Sequence, residues 1–337
     1  TTTTAGHRDN RAGRVKGAAA LASLALVAAA GCTAGTTDDE SAADAFTTRE
    51  VTDGTTSFVV VDNPGDGPTL SYGKDSAVEL LTEEVDGQEL AFKDMNANGT
   101  LDTWEDWREP AEERAAALAE ELTIEQIAGL MLFSSHERSQ ADGLTDAQKE
   151  YLTDSHLRNV LHAGPSDVEA TVTWANEMQA YAESLATADE RHAPVIFASA
   201  PRSPAGSGGG HAAGAACSRW PSRRGRAATF DVEHMDNFAE MSSAEYRALG
   251  ITTALSPQID LATEPRWLRV GGTFGEDVEQ NTELAAAYVD GYQSTTGQDG
   301  WGPESVNAML KHWAGAGPGE GGRAAHPGAG VEGVDHG

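Results

Sequence analysis

The chain has 337 residues, 39% of them hydrophobic, enough for about two or three compact units with packed interiors. Its 23 basic and 53 acidic residues give a formal charge of −30, which repels phosphate backbones, so nucleic acid is not expected as a partner. Two cysteines, Cys32 and Cys217, leave no room for a disulfide framework once Cys32 is otherwise committed.

Residues 1–31 read as an export signal. Arg8, Arg11, Arg14 and Lys16 form a positive leader, and GAAALASLALVAAAG, Gly17 to Gly31, is an apolar run too short to span a bilayer comfortably. The order Ala29-Ala30-Gly31-Cys32 resembles a bacterial lipoprotein processing box, with Ala29 where such a box usually has Leu. That reading makes Cys32 the lipidated first residue of a cell-surface protein that meets the membrane only through its anchor; ordinary cleavage after small residues is the alternative. Residues 32–57, rich in Ser, Thr and Asp, then read as a disordered tether, with ordered structure expected from Phe58.

Residues 58–109 form a short β segment. SFVVVD and QELAFKDM carry the β-branched and aromatic content of strands. The stretch DMNANGTLDTWE follows the pattern D-x-[DN]-x-[DN]-G-x5-E. Asp94, Asn96 and Asn98 alternate, Gly99 permits a sharp turn, Thr100 offers a carbonyl, Asp102 follows, and Glu105 can bind with both oxygens. An all-oxygen set selects calcium over zinc. With one loop and a strand before it, an EF-hand-like structural clip is expected rather than a switch, and an Asn/Asp-rich turn holding no metal is the alternative.

From Pro110 the apolar period becomes helical. EPAEERAAALAEEL is expected to be one helix, and Thr123-x-x-Gln126 reads as a capping box opening IEQIAGLMLF. Short apolar runs at RNVLH, PVIFAS, ITTALS and VNAMLKH then alternate with helices over about 168–186, 232–249 and 277–295, the second closed by Gly250. Strand-helix alternation predicts a parallel α/β sheet. A (β/α)8 TIM-type barrel needs eight strands and ~250 residues; about four strands are visible here, so residues 110–337 are expected to be an incomplete barrel. Residues 191–230 contain no Asp or Glu and many Gly, Ala and Arg, which suits either a functional loop at the barrel mouth or a local reading-frame slip.

Three stretches carry a resemblance. EPRWLRVGGTFGEDV, Glu264 to Val278, resembles the E-P-R-W-G-R-x-x-E-T-F-G-E-D-P signature of glycoside hydrolase family 3, and KHWAGAGPGEGGRAAH, Lys311 to His326, resembles that family's K-H-F-P-G-D-G-P-x-E-G-G-R-D-A-H. The Asp94–Glu105 loop followed by EDWREPAEERAAALAEELTIEQIAGLM is similar to the front of its β-glucosidase-like members. The resemblance implies retaining hydrolysis of terminal β-D-glucosyl residues, with an oligosaccharide or β-glucoside as partner. It also implies that Arg269, Lys311 and His312 bind sugar hydroxyls next to the cleaved bond.

The departures from that pattern are specific. Ala200 stands where the family has the Asp of S-D-P-R, Ala316 and Ala324 replace acids, and Leu268 and Gly272 replace Gly and Glu. The family's nucleophile lies in an S-D-W-type motif, yet the single Asp-Trp here, Asp106-Trp107, sits beside the cation loop. No nucleophile or acid/base is therefore assigned, and the polypeptide is expected to be an inactive, truncated fragment. The alternatives are a β-N-acetylhexosaminidase of the same family, a non-catalytic calcium-dependent sugar-binding lipoprotein, and a structural surface domain.

Overall fold

The computed structural model describes residues 44–138, 140–162, 167–187, 191, 193–201, 218, 220–294, 300–312 and 317–323. The leader, Cys32, Cys217, Ala316, Ala324 and most of the Gly/Arg-rich stretch lie outside the described residues.

Order begins earlier than the composition suggests. Strand β1 (Thr47–Asp53) lies inside the expected tether and pairs antiparallel with β2 (Thr56–Asp62), which pairs antiparallel with β3 (Thr69–Gly73). β1 is exposed along nearly its whole length, so apolar burial does not hold it. Its last residue does: Asp53 accepts hydrogen bonds from Thr173 Oγ1 and Asn176 Nδ2, both at 2.7 Å. A tether reading based on composition cannot see a partner 120 residues away. A second hairpin, β4 (Glu79–Val85) with β5 (Gln88–Asp94), places Leu90, Ala91 and Phe92 in the interior.

Helices α1 (Ala111–Glu121) and α2 (Ile124–Leu130) follow, the latter opened by the expected capping box between Thr123 and Gln126. Pro110 occupies the cap of α1. The apolar pattern extends α2 through Phe133; the structure instead ends it at Leu130 and starts strand β6 (Phe133–Glu137). Close packing accompanies the change. A side chain at Gly129 would meet the His156 carbonyl oxygen at 2.4 Å, so the end of α2 lies directly against the turn preceding the next strand.

The remaining elements alternate as expected: α3 (Asp146–Thr153), β7 (Asn159–His162), α4 (Val168–Ser184), β8 (Ile196–Ser199), α5 (Arg223–Ala227), α6 (Val232–Ala248), β9 (Thr253–Ala254), α7 (Val278–Gln293) and β10 (Asn307–Ala308). Gly250 closes α6 at φ 76°. Among the described residues the strands form a five-membered sheet in the order β10-β9-β8-β7-β6, every pair parallel. β6 is thus a fifth strand beyond the four legible runs. Trp174 and Met178 of α4 pack with Val160, Phe197 and Leu152, while Phe238 and Tyr246 of α6 meet Tyr288 and Tyr292 of α7.

Arg226, in the Arg-rich stretch, is 1% exposed and lies 3.6 Å over the Phe238 ring, its Nη1 donating to the Pro221 carbonyl. Burial pushes its pKa down to about 10, so α5 brings a charge into an otherwise apolar layer.

α4 joins the two parts of the fold. Glu183 accepts from the Gly73 amide at 2.7 Å and pairs with Lys93 of β5, both side chains of the ion pair being largely buried. Removing the carboxylate leaves an amide and an ammonium uncompensated, so Glu183→Ala should destabilise the chain by about 2–4 kcal/mol in urea unfolding. A loss below the level of an exposed ion pair would show that α4 does not hold the β segment through this residue.

Candidate active site

The site grows out of the pairing between β9 and β10. Beyond Ala254 the chain passes through a cis Ser256-Pro257 bond and stays in register with β10. The Lys311 amide donates to the Pro257 carbonyl at 2.9 Å and the Ile259 amide to the Lys311 carbonyl at 2.6 Å, so Gln258 and Lys311 pair in parallel. Both extensions therefore leave the sheet at its C-terminal edge, where parallel α/β folds build their sites. The Lys311-His312 peptide is also cis.

That register sets His312 beside Asp260. The imidazole Nδ1 lies 2.8 Å from Asp260 Oδ2, and the His312 amide 3.4 Å from Oδ1. Arg269 comes from the turn Leu268–Gly272 and places Nη1 3.4 Å from His312 Nε2. Burial lowers the pKa of the Arg269 guanidinium, Asp260 opposes that shift and Arg223 adds to it. Arg223, at the start of α5, donates to the Gly272 carbonyl at 3.1 Å and to Ser256 Oγ, while Gln258 Nε2 reaches the Arg269 carbonyl at 3.5 Å. Arg269, Lys311 and His312 thus share one edge.

Arg266 forms a bidentate pair with Glu264 in its own loop, at 2.9 and 2.8 Å, which pulls the Glu264 pKa down to about 2. Asp277 caps α7 through the Gln280 amide. Ala200, just past β8, is 4% exposed, so a methyl group occupies the strand end where the resemblance expects a carboxylate. Asp260, Gln258, Ser256 and Arg223 escaped the sequence reading. An Asp directly after an apolar strand, in SPQID, was the available signal.

The loop Asp94–Glu105 is tightly wound. Asp94 accepts from the amides of Asn98 and Gly99 at 3.1 and 2.7 Å, and Glu105 from those of Met95 and Asp102 at 2.7 and 3.2 Å. Asn96 and Asn98 both donate to Asp102 Oδ2 at 2.9 Å. Asp94 and Asn96 are fully buried and Glu105 is 4% exposed. Burial raises the Glu105 carboxyl to about 7; the Asp102 and Met95 amides oppose this, and the charges of Asp94 and Asp102 add to it. Among the described residues no three His, Cys, Asp or Glu side chains converge in a metal-holding group. A cation here would accordingly depend on amide and carbonyl oxygens of Asn96, Asn98 and Thr100 as well. The donor set fits a hard cation, since every available ligand is oxygen and the buried carboxylates repel one another. Beside these oxygens, Trp107 donates to the Ala91 carbonyl and stacks on Phe92, and Arg114 donates to the Trp104 carbonyl, tying the loop to β5 and α1.

A parallel α/β sheet that gathers guanidinium, imidazole and carboxylate side chains at the C-terminal ends of its strands has the placement of an α/β enzyme's active site. The family model of the glycosyl hydrolase family 3 N-terminal domain matches residues 108–330, and the chain belongs to that family. It is 37% identical over 246 residues to a periplasmic beta-glucosidase/beta-xylosidase of Dickeya chrysanthemi, covering 70% of this chain and 36% of that protein. It is 32% identical over 219 residues to beta-glucosidase C of Emericella nidulans, covering 64% and 34%. The chain therefore spans about a third of the length of these relatives. An exo-1,3/1,4-beta-glucanase structure from a Pseudoalteromonas species shares the fold, with TM-score 0.52 and 22% identity over 64% of this chain and 26% of that one.

A third strand end carries a different device. His162 closes β7, is 2% exposed, and packs edge-on against Trp174, with neither ring nitrogen hydrogen-bonded among the described residues. Burial pushes its pKa down to about 4. Because the unfolded ring binds a proton near 6.5, stability is full above that pH and falls as pH drops from 6.5 towards 4. His162→Phe should remove the effect, with a gain larger at pH 5 than at pH 8 by about 2 kcal/mol in denaturant unfolding. An equal change at both pH values would rule out the buried neutral ring.

Proposed function

We propose that this chain carries the sugar-binding part of an exported β-glucosidase that hydrolyses terminal β-D-glucosyl residues by a retaining route. The observation that carries the reading is the convergence of Arg269 and His312, 3.4 Å apart, at the strand end that also presents Lys311. A guanidinium, an ammonium and an imidazole held on a rigid edge match the fixed array of hydroxyls on a pyranose. The relatives support a β-glucoside: beta-glucosidase C of Emericella nidulans is named for glucose alone, and the Dickeya chrysanthemi protein for glucose and xylose. No comparable observation favours an N-acetylhexosaminide.

We place the five-stranded sheet in a (β/α)8-type barrel, in keeping with the family's N-terminal domain. Export is supported by the leader and by the periplasmic location in one relative's name, and lipid anchoring at Cys32 by the Ala29–Cys32 pattern. Among the described residues no helix is long and apolar enough to cross a membrane.

Retaining hydrolysis requires two carboxylates about 5 Å apart, and at the described strand edge Asp260 is already engaged by His312. Purified chain is expected to bind glucose in calorimetry and not to hydrolyse an aryl β-glucoside. Arg269→Ala should weaken binding about tenfold, the equivalent of one hydrogen bond. Absence of heat with glucose would overturn the sugar reading, whereas turnover would place a nucleophile within this chain.

In the loop, we propose structural calcium held by Asp94, Asn96, Asn98, Thr100, Asp102 and Glu105. The all-oxygen donor set, with the Asp94 and Glu105 carboxylates both buried, supports it. Calcium at about 100 times its dissociation constant should add about 2.7 kcal/mol of stability, read as a rise in melting temperature that chelator reverses. An unchanged melting temperature would leave the loop as an Asn/Asp-rich turn without metal.

A further inference from the structure

We propose that Asp260 is a positioning residue that holds His312 in its neutral, Nδ1-protonated form, so that Nε2 is presented to the ligand as a hydrogen-bond acceptor. The inference rests on the sugar-binding reading for its ligand, but its structural half stands independently of it.

The argument is one of donors and acceptors. The Asp260 side chain is 2% exposed and its carboxylate can only accept, so the hydrogen at His312 Nδ1, 2.8 Å from Oδ2, belongs to the ring. On the opposite side Arg269 Nη1 can only donate, so at 3.4 Å it faces a lone pair on Nε2. One ring nitrogen is thereby assigned as donor and the other as acceptor. The second oxygen of Asp260 faces the His312 amide at 3.4 Å, so the same carboxylate orients both the ring and the backbone that bears it. Asp260 itself is held by the β-type pairing around it, in which the adjacent Ile259 amide donates to the Lys311 carbonyl at 2.6 Å. A second-layer carboxylate of this kind acts through the imidazole it orients.

The consequence for recognition is a division of labour. Arg269 can only donate, and so can a protonated Lys311. An imidazole limited to its Nε2 lone pair is the acceptor beside them, in a region where Ala200 supplies none. Nε2 has one lone pair, so a hydroxyl that donates to it takes the place of the long 3.4 Å Arg269 contact and accepts from the guanidinium in its turn; an ether or a methylated hydroxyl cannot donate. The geometry therefore assigns specificity for a free hydroxyl at the position facing His312.

The test uses the whole chain labelled with 15N. Long-range proton–nitrogen spectra near pH 7.5 resolve the imidazoles, with His312→Gln identifying the His312 signals. Nδ1 is expected at the protonated and Nε2 at the unprotonated position. Asp260→Asn, whose amide can also donate, should move the ring towards the Nε2-protonated form, and Asp260→Glu should restore the original pattern; circular dichroism checks that each variant is folded. A wild-type ring protonated at Nε2, or a pattern that Asp260→Asn leaves unchanged in a folded protein, overturns the proposal. Should Asp260→Asn fail to fold, the wild-type spectrum alone decides. Glucose is then titrated: a shift of Nε2, with affinity about tenfold weaker in Asp260→Asn, supports the recognition half. If the ring has the expected form but glucose leaves Nε2 unmoved, the sugar reading fails while the positioning role stands.

Discussion

The parallel register between β9 and β10, carried past their last regular residues, is the constraint from which the site follows. Two backbone hydrogen bonds beyond Ala254, between Lys311 and Pro257 and between Ile259 and Lys311, keep the chains side by side as they leave the sheet. Parallel strands emerge at the same edge, so residues 52 positions apart in sequence become neighbours at 2.8 Å. Arg269 lies on the connection from β9 to α7 and comes to the same place because that connection returns over the strand end. None of these side chains would meet if either strand slipped by one residue, since a slip turns every side chain to the opposite face.

Helix α4 has a comparable role for the rest of the molecule. Its apolar face, with Trp174 and Met178, fits against the parallel sheet, while Thr173, Asn176 and Glu183 face the N-terminal strands and receive Asp53, Gly73 and Lys93. One side of this junction is therefore largely apolar, with the His162 ring against Trp174 as its titratable member, whereas the other depends on polar and ionic pairs. The fold also carries buried polar groups that pull against stability. Arg226 lies in an aromatic layer, and the His162 ring sits in the interior with no hydrogen-bond partner among the described residues. Buried groups of this kind persist when surrounding apolar contacts outweigh their desolvation.

The two candidate sites answer to different physical demands. The Asp94–Glu105 loop gathers acceptors around a small volume and buries them, and burial first, with the charges of Asp94 and Asp102 adding to it, raises the Glu105 carboxyl. The strand edge gathers donors, with Asp260 among them as a carboxylate already engaged. Glycine at 272 and alanine at 200 make that edge poorer in carboxylates than the pattern it resembles. Arg223 fills part of the space beside Gly272 through the backbone carbonyl there.

Features that local physics encodes were legible along the chain alone. Helical spacing over 168–184, 232–248 and 278–293, the Thr123–Gln126 capping box, the Gly250 stop and the strand-helix alternation all depend on residues within a few positions of one another, and all stand in the structure. The pair Lys311-His312 and Arg269 stand in contiguous motifs, so the chain alone singles them out as candidates. Everything else required the folded chain. β1 pairs with β2 and is tied to α4 through Asp53, and β6 pairs with β7 although its apolar run continues that of α2. Asp260 matters because a parallel register delivers His312 to it. Each of these depends on a contact between distant segments, whose closeness no local pattern records.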